Sequence, residues 1–303
     1  MIPVVFSSDH NFIMPTGVAI QSMLESAPDV MFDIFILQGD DVTGSDRDVL
    51  LEIAESHNAK ISFISVGDDF SQSYEVRGIS VASYYRLLIP WLILDYDWIL
   101  YLDGDIVVKS DISKIFDFVK DAQCYVYGVR TPGFSSDIDL INYIKSIGLD
   151  NHKYINGGIQ LFNAKLMRED DIKKSFLSYR DKKLLYQDQD IINLVCKDRI
   201  GWLPLKFNCS PSLDCIDKSK LIEAGVTTDS DFRDALLQPV VIHYAGKKPW
   251  KTFTFHWYDW WIVYSRTPFY DSKFASDSVR KILNPNYSMW QLIKMLVKKI
   301  IRK

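Results

Sequence analysis

The sequence predicts an α/β protein built on a mostly parallel, doubly wound sheet flanked by helices. Three observations carry that prediction. Short apolar runs alternate with helix-period segments through the first two-thirds of the chain. Strands separated by helices imply parallel pairing. Polar, ligand-type residues recur just after the apolar runs, where open parallel sheets bind their ligands.

The elements follow in order. Ile2–Phe6 is a strand and Pro15–Ser26 a helix. Phe32–Leu37 is a second strand. Ser45 can cap a helix over Asp46–His57, with Val49, Leu50, Ile53 and Ala54 at helical spacing. Ile61–Val66, Trp98–Leu102 and Tyr125–Val129 are further strands, and Val240–His243 is a late one. No internal repeat or low-complexity linker interrupts them. The 303 residues divide into a catalytic-size domain, 1–268, and a C-terminal extension, 269–303.

Composition narrows the function classes. Hydrophobic residues are 48% and charged residues 24%, which excludes disorder as the main state. A net charge of -4 argues against a nucleic-acid partner. Cys124, Cys196, Cys209 and Cys215 form no C-x-x-C pair, so reduced cytoplasmic thiols are the expectation. The start, Met-Ile-Pro-Val-Val-Phe-Ser-Ser-Asp, lacks the basic and long apolar regions of a secretory signal.

The ends of the apolar runs carry the chemistry. Ser7-Ser8-Asp9-His10-Asn11-Phe12 follows the first run, Asp103-Gly104-Asp105 the fourth, and Ala245-Gly246-Lys247-Lys248-Pro249-Trp250 the late one. Asp and Asn at such places also make ordinary turns. The Asp-x-Asp pattern occurs six times, and 33 Asp in 303 residues give about 3.6 by chance, so context must decide. Only 103/105 ends an apolar run. On an extended chain its carboxylates share a side, with no basic neighbour before Lys109. Repelling carboxylates call for a cation. A divalent metal would neutralise them and hold a diphosphate. With His243 added, the mixed N/O set suits Mn²⁺ better than Mg²⁺. Alone, such a His is more often a core residue. Gly246 lets a backbone approach a phosphate and Lys248 offers a point charge; the bland reading of Lys247-Lys248 is a solvated turn.

Six ordered blocks together resemble glycosyltransferase family 8, which contains bacterial lipopolysaccharide α-galactosyl- and α-glucosyltransferases and glycogenin. They are Val5–Phe12, Ser83–Leu87, Leu100–Asp105, Tyr154–Ile159, Asp188–Asn193 and His243–Trp250. The resemblance implies the GT-A fold, a UDP-sugar donor, Mn²⁺ and retention of anomeric configuration. It implies that Asp9, Asn11 and the backbone near Ser7 hold uracil and ribose. Phe12, where the family usually has Tyr, would stack on uracil. Arg86 would contact donor sugar or phosphate. Asp103, Asp105 and His243 would bind the metal. Asn156, Gly157, Asp188 and Gln189 would line the sugar, and Gly246 with Lys248, or Lys247, the diphosphate. Leu205–Cys209 resembles an acceptor-side segment, or is a plain core-to-loop transition.

Retention requires a β-face nucleophile or front-side attack. The resemblance places Gln189 near that face, and an amide is a poor nucleophile, which favours front-side attack. Asp188 could instead stabilise the oxocarbenium charge or attack. Two other readings compete. A haloacid dehalogenase-like phosphatase also follows Leu-Tyr-Leu with Asp-x-Asp, and an inert relative could bind UDP-sugar or glycan without turnover.

Two further stretches remain. Phe253, Phe255, Trp257, Tyr258, Trp260 and Trp261 read as packing on the sheet's flank rather than a sugar wall. Residues 289–303 carry Lys294, Lys298, Lys299, Arg302 and Lys303 and no acid. On a helix, Trp290, Ile293, Leu296, Val297, Ile300 and Ile301 oppose Lys294, Lys298 and Arg302. That pattern suits an anionic membrane surface. The expected setting is the inner face of the cytoplasmic membrane, where a saccharide or lipid-linked saccharide acceptor is presented.

Overall fold

The computed structural model describes residues 1–57, 59–67, 70, 73, 80–135 and 137–283. The chain begins β1 (Ile2–Ser8), α1 (Ile13–Ser26), β2 (Phe32–Gln38), α2 (Gly44–Glu55) and β3 (Lys60–Ser65). A 3-10 segment, Val81–Leu88, leads into α3 (Ile89–Leu92), β4 (Trp98–Leu102) and β5 (Ile106–Val108). Then come β6 (Val126–Arg130), α4 (Ile138–Ser146), β7 (Ile155–Asn163), α5 (Ala164–Glu169), α6 (Lys173–Leu177) and α7 (Gln187–Cys196). The last elements are β8 (Ile200–Leu203), α8 (Lys218–Glu223), α9 (Asp229–Leu237), β9 (Val241–His243), α10 (Trp257–Tyr264) and α11 (Ser272–Leu283).

Seven strands form one sheet in the order β3-β2-β1-β4-β7-β6-β8. Its central strands are covered on both faces, so they read as continuous apolar runs. In β1, Val4, Val5 and Phe6 are all buried. Alternate side chains enter two cores. Val4, Phe6, Leu100 and Leu102 face one; Val5, Ile99 and Tyr101 face the other. Helix α1 is buried from Pro15 to Leu24 because it lies against α2, α10 and β5.

The mostly parallel sheet matches expectation, with one reversal. Strand β7 runs antiparallel to both of its neighbours, β4 and β6. The sequence hid it, because Asn156-Gly157-Gly158 at its start reads as a turn. A second correction concerns the late strand. Val241–His243 lies outside the large sheet and pairs antiparallel with β5 as a two-stranded ribbon, Ile106 opposite His243. The cap of α2 is also different: Thr43, not Ser45, accepts the Asp46 N–H, and Asp46 returns a bond to the Thr43 N–H. The two-way box satisfies an extra helix-end donor, so it displaces the simpler cap.

The aromatic stretch packs on the ribbon rather than on the large sheet. Trp260, Trp261 and Tyr264 of α10 join Trp250 and cover Val107, Ile242 and Tyr244. Trp260 and Tyr264 stack at 5.2 Å. Tyr258, by contrast, is half exposed. Helix α11 adds Phe274 and Ile282 to the same cluster. Residues 289–303 lie outside the described residues. Among the described residues no helix is long and apolar enough to cross a membrane.

Trp260 is fully buried and holds the ribbon from behind. Trp260→Ala should cost about 3–5 kcal/mol of folding stability. Urea unfolding measures it, and a loss below about 1 kcal/mol would contradict this packing.

Candidate active site

The reversal of β7 brings its amino end beside the carboxyl end of β4, and the Asp103 N–H donates to the Gly158 carbonyl at 2.8 Å. The chain then turns through Asp103-Gly104-Asp105 into β5. Gly104 is required there: a Cβ would lie 2.4 Å from Thr16 Oγ1 of α1. The ribbon register places His243 over the same turn. Its Nε2 lies 3.3 Å from Asp105 Oδ1 and 3.6 Å from Asp103 Oδ2. One ligand atom from each of the three residues falls within 4.8 Å of the others.

Hydrogen bonds set which imidazole nitrogen faces that cluster. The Gly158 N–H donates to Asn156 Oδ1 at 2.8 Å, which fixes the amide of Asn156. Asn208 Nδ2 donates to the same oxygen at 2.9 Å, so Asn208 Oδ1 turns to His243 Nδ1, 2.8 Å away. Nδ1 therefore donates to Asn208, and Nε2 is the imidazole nitrogen turned toward the two carboxylates. Gly158 makes room for the ring, since a Cβ would sit 2.2 Å from His243 Cε1. Asn208 lies in the segment read as acceptor-side; here it supports His243. A polar residue after Lys-Phe gave no sign of that contact.

The carboxylates are not isolated from bases, as their spacing suggested. Asp103 Oδ1 accepts from Arg86 and from the Tyr101 hydroxyl, both at 2.8 Å. Asp105 Oδ2 is paired with the Lys248 ammonium. Burial pushes the Asp105 carboxyl up, but Lys248 and His243 outweigh it and hold the group well below the usual range. Lys109 instead pairs with Asp259. The Asp-Gly-Asp segment is a bend, not extended strand, so long-range cations reach it.

Arg86 is 5% exposed, and each of its three guanidinium nitrogens bonds within the protein. It donates to the Gly157 and Ser83 carbonyls, binds Asp103, and pairs with Asp188 at 2.9 Å. The guanidinium also lies 4.2 Å over the Tyr101 ring. Burial lowers its affinity for the proton; Asp103 and Asp188 more than restore it. Arg86, read in the sequence as a donor contact, also braces these segments. Gly157 keeps that brace in place, since a Cβ would meet Arg86 Nη1 at 3.1 Å. Asp188 is buried, and burial raises its carboxyl to about 6 against the pull of Arg86. Gln189 accepts the Gly157 N–H at 2.8 Å and donates to Tyr154 Oη at 3.1 Å.

The carboxyl end of β1 supplies the other wall. Asp9 caps the turn His10–Phe12, accepting the Phe12 N–H at 3.0 Å, and takes the Ser80 hydroxyl at 2.6 Å. Asn11 is exposed, and the Ser7 hydroxyl is buried without a partner. Phe12 packs edge-on to Trp250 at 5.9 Å, with Lys248 Nζ 5.9 Å from its ring centre. Gly246 is exposed, with open space where a Cβ would stand. Lys247 is exposed, whereas Lys248 reaches inward.

The profile of glycosyl transferase family 8 matches residues 3–254. Lipopolysaccharide glucosyltransferase WaaO of Escherichia coli K12 is 26% identical over 302 residues, covering 95% of this chain and 82% of that protein. Lipopolysaccharide 1,2-glucosyltransferase of the same strain is 24% identical over 290 residues, 91% and 80% of the two. Among solved structures, the bifunctional glycosyltransferase WbbM superposes with a TM-score of 0.75 at 25% identity, over 91% of this chain and 51% of that one. The galactosyltransferase LgtC, solved with donor and acceptor sugar analogues, gives a TM-score of 0.75 at 24% identity, over 91% and 99%. The fold is therefore GT-A.

If Asn208 orients His243, Asn208→Leu should lower Mn²⁺ affinity about 10–100-fold while the protein stays folded. Calorimetric titration with Mn²⁺ checks this, and unchanged affinity would contradict the orientation chain.

Proposed function

The chain belongs to glycosyl transferase family 8, and we propose on that premise that it is a retaining hexosyltransferase. It would move galactose or glucose from a UDP-sugar to a saccharide acceptor in lipopolysaccharide or another cell-surface glycan. The observation that carries this reading is the Asp103, Asp105 and His243 cluster with Lys248 beside it. The lipopolysaccharide glucosyltransferases among its relatives support the hexose and the acceptor class.

Two carboxylates and one imidazole, with Nε2 turned toward the carboxylates, fit a divalent cation, and the mixed set favours Mn²⁺ over Mg²⁺. Bound there, it supplies positive charge against the diphosphate that leaves C1. Lys248 adds its ammonium to the same group, and Gly246 leaves room for it. Ser7, Asp9, Asn11 and Phe12 form the uridine wall. Asn156, Gly157 and Gln189 border the hexose.

Asp188 serves best as the partner of Arg86, because a carboxylate tied to a buried guanidinium is a weak nucleophile. Gln189 offers only an amide. Front-side attack follows, with the departing phosphate accepting the proton of the acceptor hydroxyl. Family membership sets aside the phosphatase reading, in which Asp103 would be the nucleophile.

Residues 289–303, with five cations and no acid, would hold the enzyme on an anionic cytoplasmic membrane where lipid-linked acceptors lie. Deleting them should abolish co-sedimentation with anionic liposomes at low salt and leave UDP-sugar hydrolysis intact. An unchanged bound fraction would refute the membrane role.

Activity is tested with a panel of UDP-hexoses scored for Mn²⁺-dependent UDP release. Asp105→Asn should lower kcat about 10²–10³-fold without unfolding the protein. Full activity in excess chelator, or no turnover of any UDP-hexose despite tight UDP binding, would overturn the assignment.

A further inference from the structure

Behind Gln189 lies a buried carboxylate that the reaction outlined above does not use. Asp190 is fully buried. Its Oδ1 accepts the Tyr154 hydroxyl at 2.5 Å, and its Oδ2 accepts the Tyr143 hydroxyl at 2.5 Å and the Tyr186 N–H at 2.8 Å. The backbone here is strained: Gln187 has φ 44°, in the left-handed region, one turn before Asp190. Such strain persists only where surrounding contacts over-determine it. The Asp190 carboxylate, bonded to the Tyr186 N–H just ahead, is one such contact.

The polarity of this network runs one way. Burial, and then the neighbouring Asp190 charge, raise the Tyr154 phenol well above its ordinary value, so it stays protonated. A carboxylate only accepts, so the single phenolic hydrogen must point at Asp190. The Tyr154 oxygen can then only accept from Gln189, which must present Nε2 to it, at 3.1 Å. Gln189 Oε1 is thereby turned toward the Gly157 N–H, an obligate donor, at 2.8 Å. Both ends agree, which removes the usual ambiguity of an amide flip.

We propose that Tyr154 and Asp190 are positioning residues that fix the orientation of the Gln189 amide at the sugar face, through the relay Asp190–Tyr154–Gln189–Gly157. This rests on the reading of Gln189 as a residue bordering the transferred hexose. With the relay intact, one Gln189 Nε2 hydrogen and one Oε1 lone pair remain in a fixed direction for the sugar. Without it, the amide rotates, and its two ends exchange donor and acceptor character.

The test is a double-mutant cycle on full-length protein, with kcat and KM for UDP-galactose and UDP-glucose at saturating Mn²⁺ and UDP affinity by calorimetry. Tyr154→Phe should lower kcat about 10–100-fold and leave UDP affinity unchanged, as misplacement of a reacting-site group does. Gln189→Ala should lower kcat similarly, and adding Tyr154→Phe to it should change kcat by less than about 3-fold, because both act through one relay and their effects do not add. Tyr143→Phe removes an equal hydrogen bond from the same carboxylate but lies outside the relay, so its kcat should stay within about 2-fold of wild type. If Tyr154→Phe does not fold, Asp190→Asn carries the test. It keeps the shape, lets position 190 donate, and should lower kcat without adding to Gln189→Ala. Additive losses, or an equal loss in Tyr143→Phe, would overturn the relay. No loss in Gln189→Ala would instead overturn the placement of Gln189 at the sugar.

Discussion

A guanidinium can be buried only where its charge is answered and its nitrogens are bonded, and Arg86 imposes that demand on three distant segments as well as its own. It binds the carboxylate at the end of β4, the carbonyl at the start of β7, the carboxylate at the start of α7 and its own 3-10 segment. Removing one member of such a set leaves an uncompensated buried charge, worth about 3–5 kcal/mol. The walls of the site are therefore fixed by the same charge that fixes the fold around them. Asp103 and Asp188 keep their places because leaving would strand Arg86.

The second constraint is the short ribbon. Three residues of β5 pair with three of β9, too few to persist alone. The ribbon survives because α1 covers one side and the Trp250–Trp260–Trp261–Tyr264 cluster the other. Its register then sets the distance between His243 and the Asp-Gly-Asp turn. Glycines carry the tolerance. Gly104 admits Thr16 and Gly158 admits the imidazole, each where a methyl group would collide. Packing far from the turn thus decides a spacing of a few ångströms at it.

Much of this was legible in the sequence, and the gaps have physical causes. Strands β1, β2 and β4 announced themselves because burial on both faces leaves uninterrupted apolar runs. Strand β7 did not, because its opening residues are chosen for close approach to Arg86 and His243, not for strand propensity. Asp103, Asp105 and His243 could be singled out by where they stand in apolar runs. Their pairing with Arg86, Lys248 and Asn208 could not, since those contacts span 17, 143 and 35 residues. Spacing along the chain carries no trace of such pairings. The expectation of unpaired carboxylates failed for that reason alone.

The balance of charge at the turn also explains why so many partners are needed. Asp103, Asp105 and Asp188 are paired with two permanent cations, Arg86 and Lys248, so the carboxylates exceed those cations by one, with His243 beside Asp103 and Asp105. Two of the three are nearly fully buried, where an excess negative charge is costly. The chain relieves this in two directions. Asp188, deepest against Arg86 and facing the charge of Asp103, has its carboxyl raised by burial to about 6. Asp105, shared by Lys248 and His243, is held firmly ionised. The residual negative charge is concentrated on Asp103 and Asp105, the two carboxylates beside His243 Nε2. An added dication would reverse its sign, from one negative to one positive, at the place where a diphosphate would need it.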